Sequence, residues 1–187
     1  MDVMPTKFAD VLLIQPDIFR DTRGFFMETF HRERYHRLGI EGRFVQDNVS
    51  KSSGGTLRGL HFQKRHPQAK LVQAISGEIF DVVVDVRSGS PTFGQWIGEH
   101  LTGDNGYQLY IPEGYAYGFC VLSEEAVFMY KCTNFYAPTD KGGILWSDPD
   151  IAIDWPLPAP VLSDKDRSLP RLQDLRNADL PVTGIQV

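Results

Sequence analysis

At 187 residues the chain suits a single domain, at roughly 150 residues per domain, and is long enough to bury its own core without disulfides or metal. Its 19 Lys and Arg against 24 Asp and Glu leave a net charge of -5, which excludes a dedicated nucleic-acid binder with a basic footprint. Nowhere do about 18 apolar residues run together, and MDVMPTKFAD carries no signal-peptide core, so neither a membrane span nor export is expected.

The 17 glycines and 12 prolines exceed the ordinary share of about 12% of residues, and aromatics add another 12%, a balance that favours an all-β chain of short strands. Strand-like runs follow in order at 11–16, 24–30, 43–50, 56–63 and 70–87, then at 94–101, 107–112, 118–122 and 126–136. Turn chemistry fills the gaps, as in SSGG at 52–55, SGSP at 88–91, TGDNG at 102–106 and PEG at 112–114. Many short strands at this spacing predict a sandwich or a barrel. The one early helix is expected around Glu33 to Leu38, ended by Gly39, with its basic cluster HRERYHR on a solvated face. From Asp148 onward the closely spaced Pro149, Pro156, Pro158, Pro160 and Pro170 exclude a regular ladder, so this part should wrap the barrel irregularly, and 171–187 reads as a short helix or a tail. Cys120 and Cys132 form no CxxC pair and sit in apolar runs, which fits reduced core thiols of a cytoplasmic protein.

In the run from Asp81 to Arg87, Val82, Val84 and Val86 share one face, and Asp81, Val83, Asp85 and Arg87 share the other. In a sandwich the charged face meets solvent; in a barrel it lines a polar cavity, and this strand alone does not decide between them. His61, between Leu60 and Phe62, points away from both, onto the side of Gly59 and Gln63. With Arg58 nearby and Lys70 and Asp81 on following strands, several ionisable groups converge, which is costly inside a small barrel unless they do chemistry or bind a charged ligand. No Lys-Ser/Thr follows Gly54 and Gly59, so no phosphate loop is present, and none of the five histidines has the spacing of a helical zinc site.

The strings RDTRGFFMETF, FVQDNVSKS, LRGLHFQ, KLVQAISGEIFDVVVDVR, SPTFGQW, YIPEGYAYGFCVLSE, YKCTNFY, ILWSDPDIAIDWP and LSDKD, colinear over about residues 6 to 172, resemble the dTDP-4-dehydrorhamnose 3,5-epimerase family. The resemblance implies a cupin-type jelly-roll barrel with a few short helices, a homodimer, and no metal or organic cofactor. It implies epimerisation at carbons 3 and 5 of a dTDP-4-keto-6-deoxyhexose, in dTDP-L-rhamnose formation for surface polysaccharide. By the same resemblance His61 is the base, Asp166 orients it and stabilises its imidazolium, and Tyr130 is the acid on the opposite face. Lys70 and Arg58 supply positive charge to the enolate or the diphosphate. Arg23, Phe26 and Glu28 reach across a dimer interface to the nucleotide, Phe19 stacks on the thymine, and Gln46, Asn48 and Lys165 complete its polar contacts.

A metal-binding cupin needs an HxH pair and a later histidine in a PxGxxH turn. This chain has His61-Phe62-Gln63 and Pro112-Glu113-Gly114-Tyr115-Ala116-Tyr117, lacking the second and third imidazoles. Relatives commonly carry histidine at the position of Tyr117, expected here in a turn at the cavity rim, where a tyrosine could reshape which carbon reacts. A single-centre epimerase or ketoisomerase, and a non-catalytic sugar-nucleotide-binding cupin, are the rival readings.

Overall fold

The computed structural model describes residues 1–182. Its strands are β1 (Asp2–Met4), β2 (Leu12–Gln15), β3 (Ile18–Asp21), β4 (Gly24–Met27), β5 (Gln46–Ser53), β6 (Leu57–Gln63) and β7 (Lys70–Ser76). They continue with β8 (Glu78–Asp85), β9 (Trp96–Thr102), β10 (Gln108–Ile111), β11 (Tyr115–Val121), β12 (Glu125–Cys132) and β13 (Lys141–Gly143). Two short helices, α1 (Arg32–Arg37) and α2 (Asp164–Arg167), complete the set. The long run at 70–87 is two strands, because Gly77 at φ +75° turns the chain where any Cβ would strike the Glu125 carbonyl.

Two antiparallel sheets face one another as a jelly-roll barrel. One has the order β1-β2-β10-β7-β12-β5, the other β13-β6-β11-β8-β9, and β3 and β4 stand off as a separate hairpin. Between the sheets lies a core that includes Phe8, Val72, Val83, Leu101, Leu109, Phe119 and Phe128. A second core lies outside the five-stranded sheet, where Leu60, Phe62, Val82, Val84 and Ile144 pack beneath Trp146, Trp155 and Leu172. Val82, Val83 and Val84 are therefore all buried on opposite faces of one strand, each side chain worth roughly 1.5–3 kcal/mol of transfer free energy. Asp81 faces the barrel interior, fully buried, which settles the question its strand left open.

The segment after Asp148 covers the five-stranded sheet, as its prolines predict. Leu172 N donates to Asp148 Oδ2 at 2.7 Å, Leu145 N to Pro170 O at 2.8 Å, and Val161 forms a parallel bridge to Thr56. The stretch from 171, expected as a short helix or a tail, forms two short 3-10 helices, Leu172–Asp174 and Asn177–Asp179, followed by Val182, whose N–H donates to Lys64 O at 2.7 Å. Its end, 183–187, lies outside the described residues. Helix α1 buries Tyr35 against Ile14, Ile40 and Leu71 on the six-stranded sheet and leaves its basic residues largely outside. Both cysteines are buried and unpaired, and no helix among the described residues is long and apolar enough to cross a membrane.

Candidate active site

The pairing of β11 with β6 slips at one place: Tyr117 opposes His61 and Phe119 opposes Arg58, so that Gly59 and Leu60 of β6 stand against Gly118 alone of β11. Such a bulge re-aims the side chains beyond it. Gly59 permits it, because at φ +125° its missing Cβ would stand 2.6 Å from Gly118 Cα and 2.8 Å from the Tyr117 carbonyl oxygen. As a result Arg58 and His61 face one cavity, while Leu60 and Phe62 join the outer core. Strict alternation pairs His61 with Gly59; the bulge corrects this and makes Arg58 its neighbour.

That cavity, about 500 Å³, is lined by Arg58, His61, Lys70, Tyr117, Tyr130, Lys165 and Asp166. An adjoining lobe of about 320 Å³ holds Gln46 and Asn48 and shares His61, Lys70, Tyr130 and Lys141 with the first. His61 and Tyr130 belong to different sheets, β6 and β12, and so approach the space between from opposite walls.

Helix α2 delivers Asp166. Its N-cap Ser163 accepts from Asp166 N at 3.1 Å, which satisfies an otherwise orphan donor and turns the carboxylate inward. Asp166 Oδ1 lies 2.6 Å from His61 Nε2. Burial works to raise the Asp166 pKa, but the His61 contact and the Ser163 cap outweigh it and hold the carboxyl below its usual range. An ionised carboxylate only accepts, so His61 carries its proton on Nε2 and leaves the Nδ1 lone pair as the base. Burial lowers the His61 pKa, Asp166 opposes this, and Lys141 and Lys70 lower it further. The imidazole is thus neutral at neutral pH.

On the facing wall, burial raises the Tyr130 pKa, so its phenol keeps its proton. The Lys70 ammonium lies 5.4 Å from the Tyr130 ring centroid and 5.5 Å from that of Tyr117, a doubly cation–π position. Desolvation lowers the Lys70 pKa, with Cys132 and Asp81 acting the other way. Arg58 is steadied by Ser52, to whose Oγ its Nε donates at 3.0 Å.

Tyr117 is not in a rim turn. It lies in the middle of β11, 7% exposed, its ring stacked on Phe128 at 16° and its hydroxyl donating to Asp81 Oδ2 at 3.0 Å. The correction has a physical reason: β11 runs unbroken from Tyr115 because its pairing with β8 is continuous from Tyr115 to Val121. Burial raises the Asp81 pKa well above 3.8, with Tyr117 as its counterweight, and Asp81 Oδ1 has no partner among the described residues.

Phe19, Arg23 and Phe26 lie away from this cavity on the β3–β4 hairpin, around a separate hollow, with Phe19 64% and Phe26 69% exposed. Arg23 pairs with Asp21 at 2.6 Å and Glu28 with Arg34 at 3.1 Å. Lys141 went unmarked in the sequence, because a three-residue Lys-Gly-Gly strand carries no periodicity to read. Gln63, at a cupin ligand position, is engaged elsewhere: its Nε2 donates to the carbonyls of His66 and Phe135, and its Oε1 accepts from Ala137 N.

The family model described as dTDP-4-dehydrorhamnose 3,5-epimerase matches residues 5–174. A dTDP-4-dehydrorhamnose 3,5-epimerase of Shigella flexneri is 54% identical over 168 residues, covering 89% of this chain and 93% of that one. The crystal structure of dTDP-6-deoxy-D-glucose-3,5-epimerase from Legionella pneumophila in complex with dTDP-4-keto-L-rhamnose superposes with a TM-score of 0.94 at 49% identity, covering 96% of this chain and 97% of that chain. That of the Bacillus anthracis 3,5-epimerase with TDP and PPi bound gives 0.89 at 48% identity, covering 91% and 98%.

Proposed function

The chain belongs to the dTDP-4-dehydrorhamnose 3,5-epimerase family and is an isomerase of dTDP-linked 4-keto sugars, and from that premise we propose that His61 and Tyr130 invert carbons 3 and 5 through an enolate, with Asp166 orienting the base. One observation carries this reading: His61 Nε2 held 2.6 Å from Asp166 Oδ1, with Tyr130 facing it from the opposite sheet.

The chemistry follows from the substrate. Hydrogens on carbons 3 and 5 are acidified by the carbonyl on carbon 4. His61 Nδ1 takes one of them, the C–H electron pair moves into the ring as the enolate, and the negative charge settles on the former carbonyl oxygen. Lys70 and Arg58 place positive charge there or at the diphosphate, a stabilisation worth several kcal/mol where water is excluded. Asp166 meanwhile holds the new imidazolium. Tyr130 then protonates the carbon from the other face, and the centre is inverted. His61 and Tyr130 return to their starting states by exchange with solvent. Repeating this at the second carbon requires the sugar to shift between two poses. Tyr117, tied to Asp81 and stacked on Phe128, is held against the barrel wall.

The reading extends to a cytoplasmic homodimer in which Phe19, Arg23, Phe26 and Glu28 complete the partner's nucleotide site with Gln46, Asn48 and Lys165. The exposed apolar face of the β3–β4 hairpin supports this. No residue role in this scheme calls for a metal or an organic cofactor.

Incubation with dTDP-4-keto-6-deoxyglucose in heavy water, followed by NMR of the sugar, tests the assignment. Deuterium should enter carbons 3 and 5, both with inversion. Label confined to one carbon would replace the double epimerase by a single-centre enzyme.

A further inference from the structure

Lys141 opens β13, and the pairing with β6 sets Lys141 opposite Gln63 and Gly143 opposite His61. Directly opposed residues share a face of a sheet, so Lys141 lies on the same side as His61, one step farther along. It is half-buried, and it borders both lobes of the cleft. Only His61, Lys70, Tyr130 and Lys141 border both, and the first three already have work in the reaction.

The two lobes differ in chemistry. One contains Asp166, Tyr117 and the aromatic floor of Phe119 and Phe128. The other is lined by the amides of Gln46, Asn48, Gln63 and Gln68, with Tyr136 at its edge. On the function proposed above, a sugar in the first and a nucleoside in the second are joined by a diphosphate that must cross the junction. We propose that Lys141 holds the phosphate of that diphosphate bonded to the sugar.

The local charge balance fits such a ligand. Lys141, Lys165 and Arg58 gather around the cavity with Lys70, and the one carboxylate of its lining is Asp166. Its short contact is already given to His61. Burial lowers the Lys141 pKa, Lys165 and Lys70 push the same way, and Asp166 alone opposes. The cluster is short of an anion. A diphosphate supplies two negative charges at the place where the cations repel one another, and it also relieves the field with which Lys141 opposes protonation of His61.

The test is calorimetric binding of dTDP and dTMP to the wild-type chain and to Lys141→Gln and Lys141→Arg. The two nucleotides differ only in the phosphate at issue. Lys141→Gln should weaken dTDP about tenfold or more, the usual scale for a lost charge-assisted hydrogen bond, while dTMP changes less than about twofold. Lys141→Arg should recover most of the dTDP affinity, which also shows that the site still folds. Unchanged dTDP affinity in Lys141→Gln, or equal weakening of both nucleotides, overturns the assignment and leaves the epimerase reading intact. A wild-type chain that binds neither nucleotide overturns that reading and this one together.

Discussion

Asp166→Asn isolates the His61 contact. The substitution keeps the shape of the side chain and the Ser163 cap but removes the charge 2.6 Å from His61 Nε2. A hydrogen bond to a charged group is worth about 1.5–3 kcal/mol, and at about 1.36 kcal/mol per decade its loss alone slows formation of the imidazolium by roughly 10–150-fold. An amide can also turn its NH2 toward Nε2 and drive the imidazole proton onto Nδ1, which abolishes the base in that fraction of molecules. Together these place the loss in kcat/KM at about 10²–10³-fold, with dTDP affinity unchanged. The pH profile carries a second signature. The wild-type His61 pKa lies below the free value of 6.5, so kcat/KM should hold at neutral pH and fall only as pH drops below 6.5. Asp166 is the group that opposes this depression, so without it burial, Lys141 and Lys70 push the acid limb to still lower pH. Conversion of dTDP-4-keto-6-deoxyglucose followed from about pH 5 to 9 measures both effects. A folded variant with kcat/KM within about fivefold of wild type and an unmoved acid limb would refute the dyad.

Tyr130→Phe keeps the ring beneath the Lys70 ammonium and removes only the proton donor. Net inversion should fall by about 10²–10⁴-fold, yet in heavy water the recovered substrate should gain deuterium with retention, because His61 can return a solvent-derived proton to the face from which it took one; loss of both processes alike would place the defect in enolate formation. Asp81→Asn addresses stability. The folded-state pKa of Asp81 is raised above 3.8, so the wild-type chain loses stability as pH rises from that value through the folded pKa, and the amide should lack this slope. Thermal melts should therefore show the Tm of Asp81→Asn minus that of wild type rising from pH 4 to pH 8, and a difference that falls with rising pH would contradict the assignment.

The barrel was legible because period-2 alternation and turn residues are local signals, and nearly every strand run in the sequence lies where a strand forms. The site was legible through whole motifs rather than through geometry. Alternation alone misplaced the partners of His61: a glycine inside a strand signals a bulge, but which side chains the bulge at Gly59 re-aims is set by the pairing with β11. Tyr117 read as a rim residue because PEG precedes it, whereas pairing with β8 extends β11 through it. The valines around Asp81 illustrate the limit differently. Their alternation was plain, but burial of both faces depends on a wrap contributed some 70 residues later, which no window around Asp81 contains.

That wrap completes the catalytic pair from outside the barrel. The base lies in β6 and its carboxylate 105 residues farther on, in a helix outside both sheets. The contacts that seat the wrap are Val161 beside Thr56 and Leu145 N on the Pro170 carbonyl; a barrel closed without them would hold Tyr130, Lys70 and an undirected imidazole. During refolding, sheet content should then recover ahead of turnover, and the interval between them times the docking of the wrap. Catalysis in this fold serves as its own report that assembly is complete.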